Sequence, residues 1–222
     1  MSMHSGHRDR VKQKVLENGF QGMHHHEILE FLLFYSVPRS DTNPLAHALI
    51  EHFGGLEYVF EATVEELTEV KGIGEHTAIL IHSIPLFARE YATASSKIKK
   101  IQSTTDATSF LIPKFIGRTE ETFILVTLDN KSKITRDIII SRGTVNQISV
   151  HIRKIIEMSL KYKASRVIIA HNHPHGSATP SLTDIETTRK IKTALEQVGI
   201  TLFDHIIVVG EEFLSMAEEQ ML

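Results

Sequence analysis

Apolar and polar positions follow two different periods along this chain, and the change falls near residue 100. From Arg8 to Glu17 the pattern is polar with helical spacing, and Glu27 to Tyr35 (EILEFLLFY) is a strongly apolar helical run. Asp41 or Thr42 ahead of Pro44 marks a helix start, because proline in a first turn has no intrahelical N–H bond to lose. That helix is expected to reach about Phe53, where Gly54-Gly55 stops it. A short helix from Val64, a break at Gly72-Ile73-Gly74 and a helix to about Thr93 complete a half without strand-like alternation.

Residues 95–103 (SSKIKKIQS) are small, polar and basic, the composition of a linker. Beyond them, Thr122–Leu128 (TFILVTL) and Lys133–Ile140 read as strands joined by a turn at Asp129-Asn130. Val150–Leu160 is an amphipathic helix, Arg166–Ala170 (RVIIA) a short buried strand, Ile185–Val198 a helix ended by Gly199, and Leu202–Val209 another strand. The pattern predicts a helical domain over 1–94, a linker over 95–103 and a layered α/β domain over 104–222, with no internal repeats.

Composition narrows the chemistry. The 222 residues are 41% hydrophobic and 23% charged, as in ordinary globular proteins. No apolar run approaches the roughly 18 residues of a membrane span, and the first ten residues lack the apolar core of a signal peptide. A cytoplasmic location with no membrane partner is expected. Cysteine is absent, so a bound metal must use histidine and carboxylate ligands. The net charge of −3 gives bulk attraction to nucleic acid no help. Histidine is abundant, at 14 residues, with runs at His24–His26 and at His171, His173 and His175.

The segment RVIIAHNHPHGSATPSLTD runs from a strand through a Gly/Pro loop into a helix. Alternate strand residues share a face, so His171 and His173 can point at one ion, and Asp184 can add an oxygen ligand from the helix start. Two imidazoles and one carboxylate leave a fourth tetrahedral position open, which is characteristic of a catalytic metal. Ser181-Leu-Thr-Asp184 also fits a helix capping box, and the two roles are compatible.

The spacing His-x-His-x7-Ser-x-x-Asp resembles the JAMM (MPN+) metalloprotease motif without a mismatch. SRGTVNQISVHIRK, VIIAHNHPHG with Asn172 between the histidines, TPSLTD and LFDHIIVVG resemble the RadC branch. GHRDRVKQKVLENG, EILEFLLFY and FGGLEYV resemble that family's N-terminal domain, so the resemblance covers nearly the whole chain. It implies an MPN, cytidine-deaminase-like mixed sheet between helices. It also implies one Zn²⁺ per chain on His171, His173 and Asp184, and a peptide or isopeptide substrate. Ser181 would then stabilise an oxyanion and an upstream glutamate would act as general base, with Glu121 the matching position and Glu120 the alternative register. The family's usual HPRE stands here as His151-Ile152-Arg153-Lys154, lacking the acid. His175 is expected in an exposed loop and Asp204-His205 in a structural role, with orientation of a metal ligand as the other reading. Arg142 and His151 are further polar contributors to the cleft.

Leu67–Ala78, centred on Gly72-Ile73-Gly74, resembles a helix-hairpin-helix. Such a motif offers backbone N–H groups to a phosphate, making Lys71, Gly72 and Gly74 candidates for non-specific DNA contact. Glu65, Glu66, Glu69 and Glu75 surround it, against such contact. The alternative function is a DNA-associated repair or accessory protein that binds DNA through this motif, with the metal domain structural or of other hydrolytic activity. A tight interhelical turn without a ligand explains the same residues. The His24–His26 run leads into an apolar helix and reads as native structure.

Overall fold

The computed structural model describes residues 3–38, 40–143, 148–174 and 176–222. The chain divides into two compact units, Met1–Ala88 and Arg89–Leu222.

The first unit is helical: α1 (Met3–Asn18), α2 (His25–Leu33), α3 (Asn43–Phe53), α4 (Leu56–Glu61), α5 (Val64–Glu69) and the start of α6 (Glu75–Ser95). Its centre is built from Leu29, Leu33, Ala46, Leu49, Val59, Leu67, Ala78 and Ile81, all fully buried. Gly54 ends α3 in the left-handed conformation, as its position after the apolar run predicts. Helix α4 has six residues and one buried side chain, too short for a period to be read from sequence. His26 lies within the unit with its ring stacked on His47 at 4.0 Å.

Between α5 and α6 the Ile73 N–H donates to the Val70 carbonyl at 3.0 Å, and Ile73 is buried as the wedge of the turn. Gly72 has a φ of +99°, and a Cβ there would meet Leu45 Cδ1 at 3.3 Å, so this position excludes larger residues on two counts. Lys71, Gly72 and Gly74 are exposed around that wedge.

The second unit carries a five-stranded mixed sheet made of β1 (Thr122–Leu128), β2 (Ile134–Arg142), β3 (Arg166–Asn172), β4 (Thr201–Val209) and β5 (Glu212–Ser215). The order is β2-β1-β3-β4-β5, with β3 and β4 parallel and the other neighbours antiparallel. Strand β1 is buried along its whole length, because both faces are covered. One face packs Ile124, Val126, Ile168 and Ala170 against α7 (Thr104–Leu111) and the 3-10 turn Ile112–Phe115. The other packs Leu125, Val167 and Ile169 against α8 (Ile148–Lys161) and α9 (Leu182–Glu196) through Ile155, Ile191 and Leu195. A mixed sheet between helices is therefore present, as expected.

Two elements here escaped the apolar pattern. Helix α7 (TTDATSFL) buries little beyond Ala107, Thr108 and Leu111, and β5 has only four residues. Within the stretch read as a linker, Ile101 is fully buried and its N–H donates to the Ser132 carbonyl at 2.9 Å. The β1–β2 turn is held by Asp129, whose carboxylate accepts from the Lys131 and Lys133 N–H groups at 2.8 and 2.9 Å.

A register shift between β3 and β4 decides which β4 side chains face the two layers. Val167 pairs with Leu202 but Ile168 pairs with Asp204, so Phe203 is the extra residue of a bulge. Leu202 packs on the α8/α9 side while Ile206 and Val208 pack on the α7 side. His205 is thereby turned to the face that also carries His171. Among the described residues no helix is long and apolar enough to cross a membrane.

Candidate metal centre

His171 occupies the end of β3, His173 follows just beyond it, and Asp184 lies in the first turn of α9. One ligand atom from each lies within 4.8 Å of the others. His171 Nε2 is 3.0 Å from His173 Nε2 and 3.3 Å from Asp184 Oδ1, and His173 Nε2 is 3.6 Å from Asp184 Oδ2. The pair predicted at i, i+2 and the carboxylate eleven residues after His173 are thus brought together.

The hydrogen-bond partners are all satisfied by one assignment of the tautomers. The Asp184 carbonyl can only accept, so the Thr188 hydroxyl, 2.6 Å away, donates its single proton to it. Thr188 Oγ1 must then accept from His205 Nδ1, also at 2.6 Å, which leaves His205 Nε2 with a lone pair. His171 Nδ1 donates to that lone pair at 2.8 Å, and so His171 Nε2 carries none of the ring's protons. His173 Nδ1 donates to the Ser177 carbonyl at 2.8 Å, leaving its Nε2 likewise unprotonated in the neutral ring. Two nitrogen lone pairs and a carboxylate therefore face one point. Three acceptors without a shared proton repel one another, and a cation converts that repulsion to attraction. This donor set suits a divalent metal with nitrogen and oxygen ligands.

The electrostatics agree. Burial pushes His171 down to about 4, against the opposing pull of Asp184. Burial likewise holds His205 well below the ordinary imidazole range, with His171 and His173 adding to the effect. Both rings are neutral at neutral pH, the form that binds metal. Phe123 lies parallel to His171 with ring centroids 6.0 Å apart and forms an apolar wall beside it.

Asp184 also serves the helix. Its Oδ2 accepts from the Ser181 N–H at 2.8 Å and the Ser181 hydroxyl at 2.7 Å, while Ser181 Oγ accepts from the Asp184 N–H at 3.1 Å. The capping box read in the sequence is formed, and it leaves Oδ1 turned to His171. Ser181 is exposed at the rim with its hydroxyl proton directed to Asp184.

Glu121 precedes β1 on the same face as Phe123. Partial desolvation raises its pKa, Asp184 raises it further, and His173 opposes them, so the carboxyl shares the field of the cluster. Glu120 Oε2 lies beside Gly143, 3.6 Å from where a Cβ there would stand. His151 lies 6.0 Å from Phe123, centroid to centroid, with Nε2 buried and unpartnered among the described residues. Arg142 is exposed at the end of β2, and His175 lies outside the described residues.

Two functional roles were not resolved in the sequence. His205 orients His171, the lesser of the two expected readings, whereas Asp204 is structural, accepting from Ser215 Oγ, the Ala217 N–H and the His205 N–H at 2.6 to 3.0 Å. Asn172, buried on the opposite face, accepts from the Thr122 N–H at 2.8 Å and donates to the Arg118 and Glu120 carbonyls at 3.2 and 3.3 Å. It ties the segment bearing Glu121 to the strand between the two histidines. Only its place between the histidines hinted at this.

Replacing His205 with alanine is expected to leave the His171 Nδ1–H buried without a partner and to free the ring to turn. A metal titration should show affinity reduced about 10- to 100-fold; unchanged affinity would mean that His205 only fills space.

The second unit is thus a mixed sheet covered by helices on both faces, with a His-His-Asp cluster able to hold a metal where a central strand meets a helix start. A family model described as RadC-like JAB domain matches residues 101–221, and one described as UPF0758 N-terminal matches residues 4–79. The chain is 36% identical over 217 residues to a UPF0758 protein of Ruegeria pomeroyi, covering 97% of each. It is 32% identical to one of Fusobacterium nucleatum, covering 98% of this chain and 97% of the other, and 33% identical to one of Enterococcus faecalis, covering 94% and 90%. The chain belongs to the RadC-like UPF0758 family, whose JAB domain is of the JAMM metal-dependent hydrolase type.

Proposed function

We propose that the second unit is a zinc-dependent metallopeptidase or isopeptidase of JAMM type. The observation that carries this reading is the convergence of two imidazole nitrogens and a carboxylate, with Glu121 in their field. Zinc bound by His171, His173 and Asp184 supplies Lewis acidity toward water and an amide carbonyl.

The chain's own groups then perform the proton transfers. Glu121 takes a proton from the attacking water and returns it to the leaving amine nitrogen, a task helped by a carboxyl whose pKa is raised above the ordinary carboxylate value. Ser181 turns its hydroxyl from Asp184 to the substrate oxygen as negative charge develops there. His205 and Thr188 hold His171 in the tautomer that presents Nε2. Phe123 limits water on one side of the cluster.

The test is elemental analysis of the purified full chain with assays on fluorogenic peptides and on a lysine Nζ-linked isopeptide. Expected are one zinc per chain, and hydrolysis of at least one substrate class that o-phenanthroline abolishes and added zinc restores. Absence of zinc, or hydrolysis indifferent to the chelator, overturns the proposal.

A further inference from the structure

Three guanidinium groups gather in the second unit on the sheet face opposite His171. Arg89 stands on the later turns of α6, Arg118 follows the 3-10 turn, and Arg142 ends β2 opposite Thr122 in β1. Arg89 Nη1 donates to the Ile116 carbonyl at 2.7 Å and Arg118 Nε to the Lys114 carbonyl at 2.8 Å. Each guanidinium has five N–H donors, so these two bonds locate the groups and leave most donors for another partner. Arg89 and Arg118 line a cavity of about 440 Å³ whose wall includes Ile124 and Ile139. Ile124 belongs to the core on the α7 side, whereas His171 shares its face with Phe123.

The charges in this cavity do not balance internally. Lys114 is paired with Asp137 at 2.8 Å, and Glu90 is the other carboxylate of the lining. Among the described residues, none of the three arginines forms an ion pair. Residues 144–147 and 175, outside the description, contain no Asp or Glu. Burial, then Arg89 and Arg142, bring Arg118 down to about 10; Arg89 is lowered by burial and by Arg142, with Glu90 opposing. Partly desolvated like charges with only Glu90 of the lining left to balance them are stabilised when an oxyanion enters among them.

We propose that this cavity binds a small phosphate monoester, with Arg89 and Arg118 holding the phosphate, Arg142 adding charge at the rim and the isoleucines receiving the organic part. Phosphate is favoured over a monocarboxylate because one guanidinium fork satisfies a carboxylate, whereas a dianion with three equivalent oxygens accepts several. The volume falls within the range of about 300–1,000 Å³ typical of small-ligand pockets. The Arg118 carbonyl is held by Asn172, between the two metal-site histidines, so the occupied cavity and the Glu121 segment share one tether. This inference does not depend on the hydrolase reading.

The experiment is calorimetric titration of the full chain with inorganic phosphate and with AMP, each with and without EDTA, and with citrate for comparison. Expected is saturable binding of one phosphate-bearing ligand per chain, unaffected by EDTA and weakened about tenfold or more in Arg118→Gln and Arg142→Gln. Arg142 is exposed and makes no hydrogen bond among the described residues, so its variant keeps the test valid if Arg118→Gln fails to fold. No saturable binding, binding lost on EDTA, citrate bound as tightly as phosphate, or affinity unchanged in both variants would each overturn the assignment.

Discussion

Glu121→Gln is expected to lower hydrolysis by about 10²- to 10⁴-fold, the usual contribution of a positioned general base, while the metal remains bound. The amide preserves the size of the side chain and removes its ability to take a proton. The backbone around it is held independently: the Gly143 N–H donates to the Glu121 carbonyl at 2.8 Å, and the Thr122 N–H donates to Asn172. The fold and the ligand cluster therefore survive the substitution. Glu120→Gln, altering a carboxylate directed toward Gly143, leaves the rate essentially unchanged. Turnover measured beside metal content separates the outcomes, and equal losses in the two variants would remove Glu121 from the mechanism. In the wild type, activity should fall as pH drops through the raised Glu121 pKa, and that acid limb should be absent in Glu121→Gln.

His173→Ala is expected to abolish metal binding and hydrolysis together with the fold retained. The side chain is 22% exposed and, apart from its contacts within the cluster, the bond it donates among the described residues is to the Ser177 carbonyl, so its loss costs about 1 kcal/mol. Added zinc should raise the thermal midpoint of the wild type, since a ligand at about 100 times its Kd contributes about 2.7 kcal/mol. The variant should show no such shift, and a wild-type-like response would show that the metal is held elsewhere. His171→Ala makes a poorer test, because that ring is buried, bonded to His205 and packed on Phe123, so folding and ligation fail together.

Acid should oppose both the metal and the second unit. His171 binds its proton less readily folded, at about 4, than unfolded, near 6.5. Its contribution to stability is therefore present above about 6.5 and is lost as pH falls toward 4. Protonation of His171 also removes a ligand lone pair, so metal release and loss of stability should occur over overlapping pH ranges.

Local chemistry was legible where it was dense in a short segment. His171, His173, Ser181 and Asp184 fall within fourteen residues, and strand, loop and helix signals carry them to one point. The long helices and the four longer strands announced themselves by apolar period and by stops such as Gly54 and Gly199. Helix α4 and strand β5 did not, because four to six residues define no period, and α7 buries too few side chains to show one.

By itself, the sequence determined the fold class, the family and the His171, His173 and Asp184 cluster proposed as ligands, since each rests on residue type and near-neighbour spacing. Tertiary structure alone decided the neighbours of those ligands. A one-residue bulge at Phe203 turns His205 toward His171, and Asn172 reaches across to the entry of β1. Arg89 and Arg118, nearly thirty residues apart in the chain, line one cavity, and Arg142 from the end of β2 adds its charge to theirs. Each of these depends on strand order and register, which arise from long-range packing. A shift of one residue in that register would turn the same side chains to the other face of the sheet.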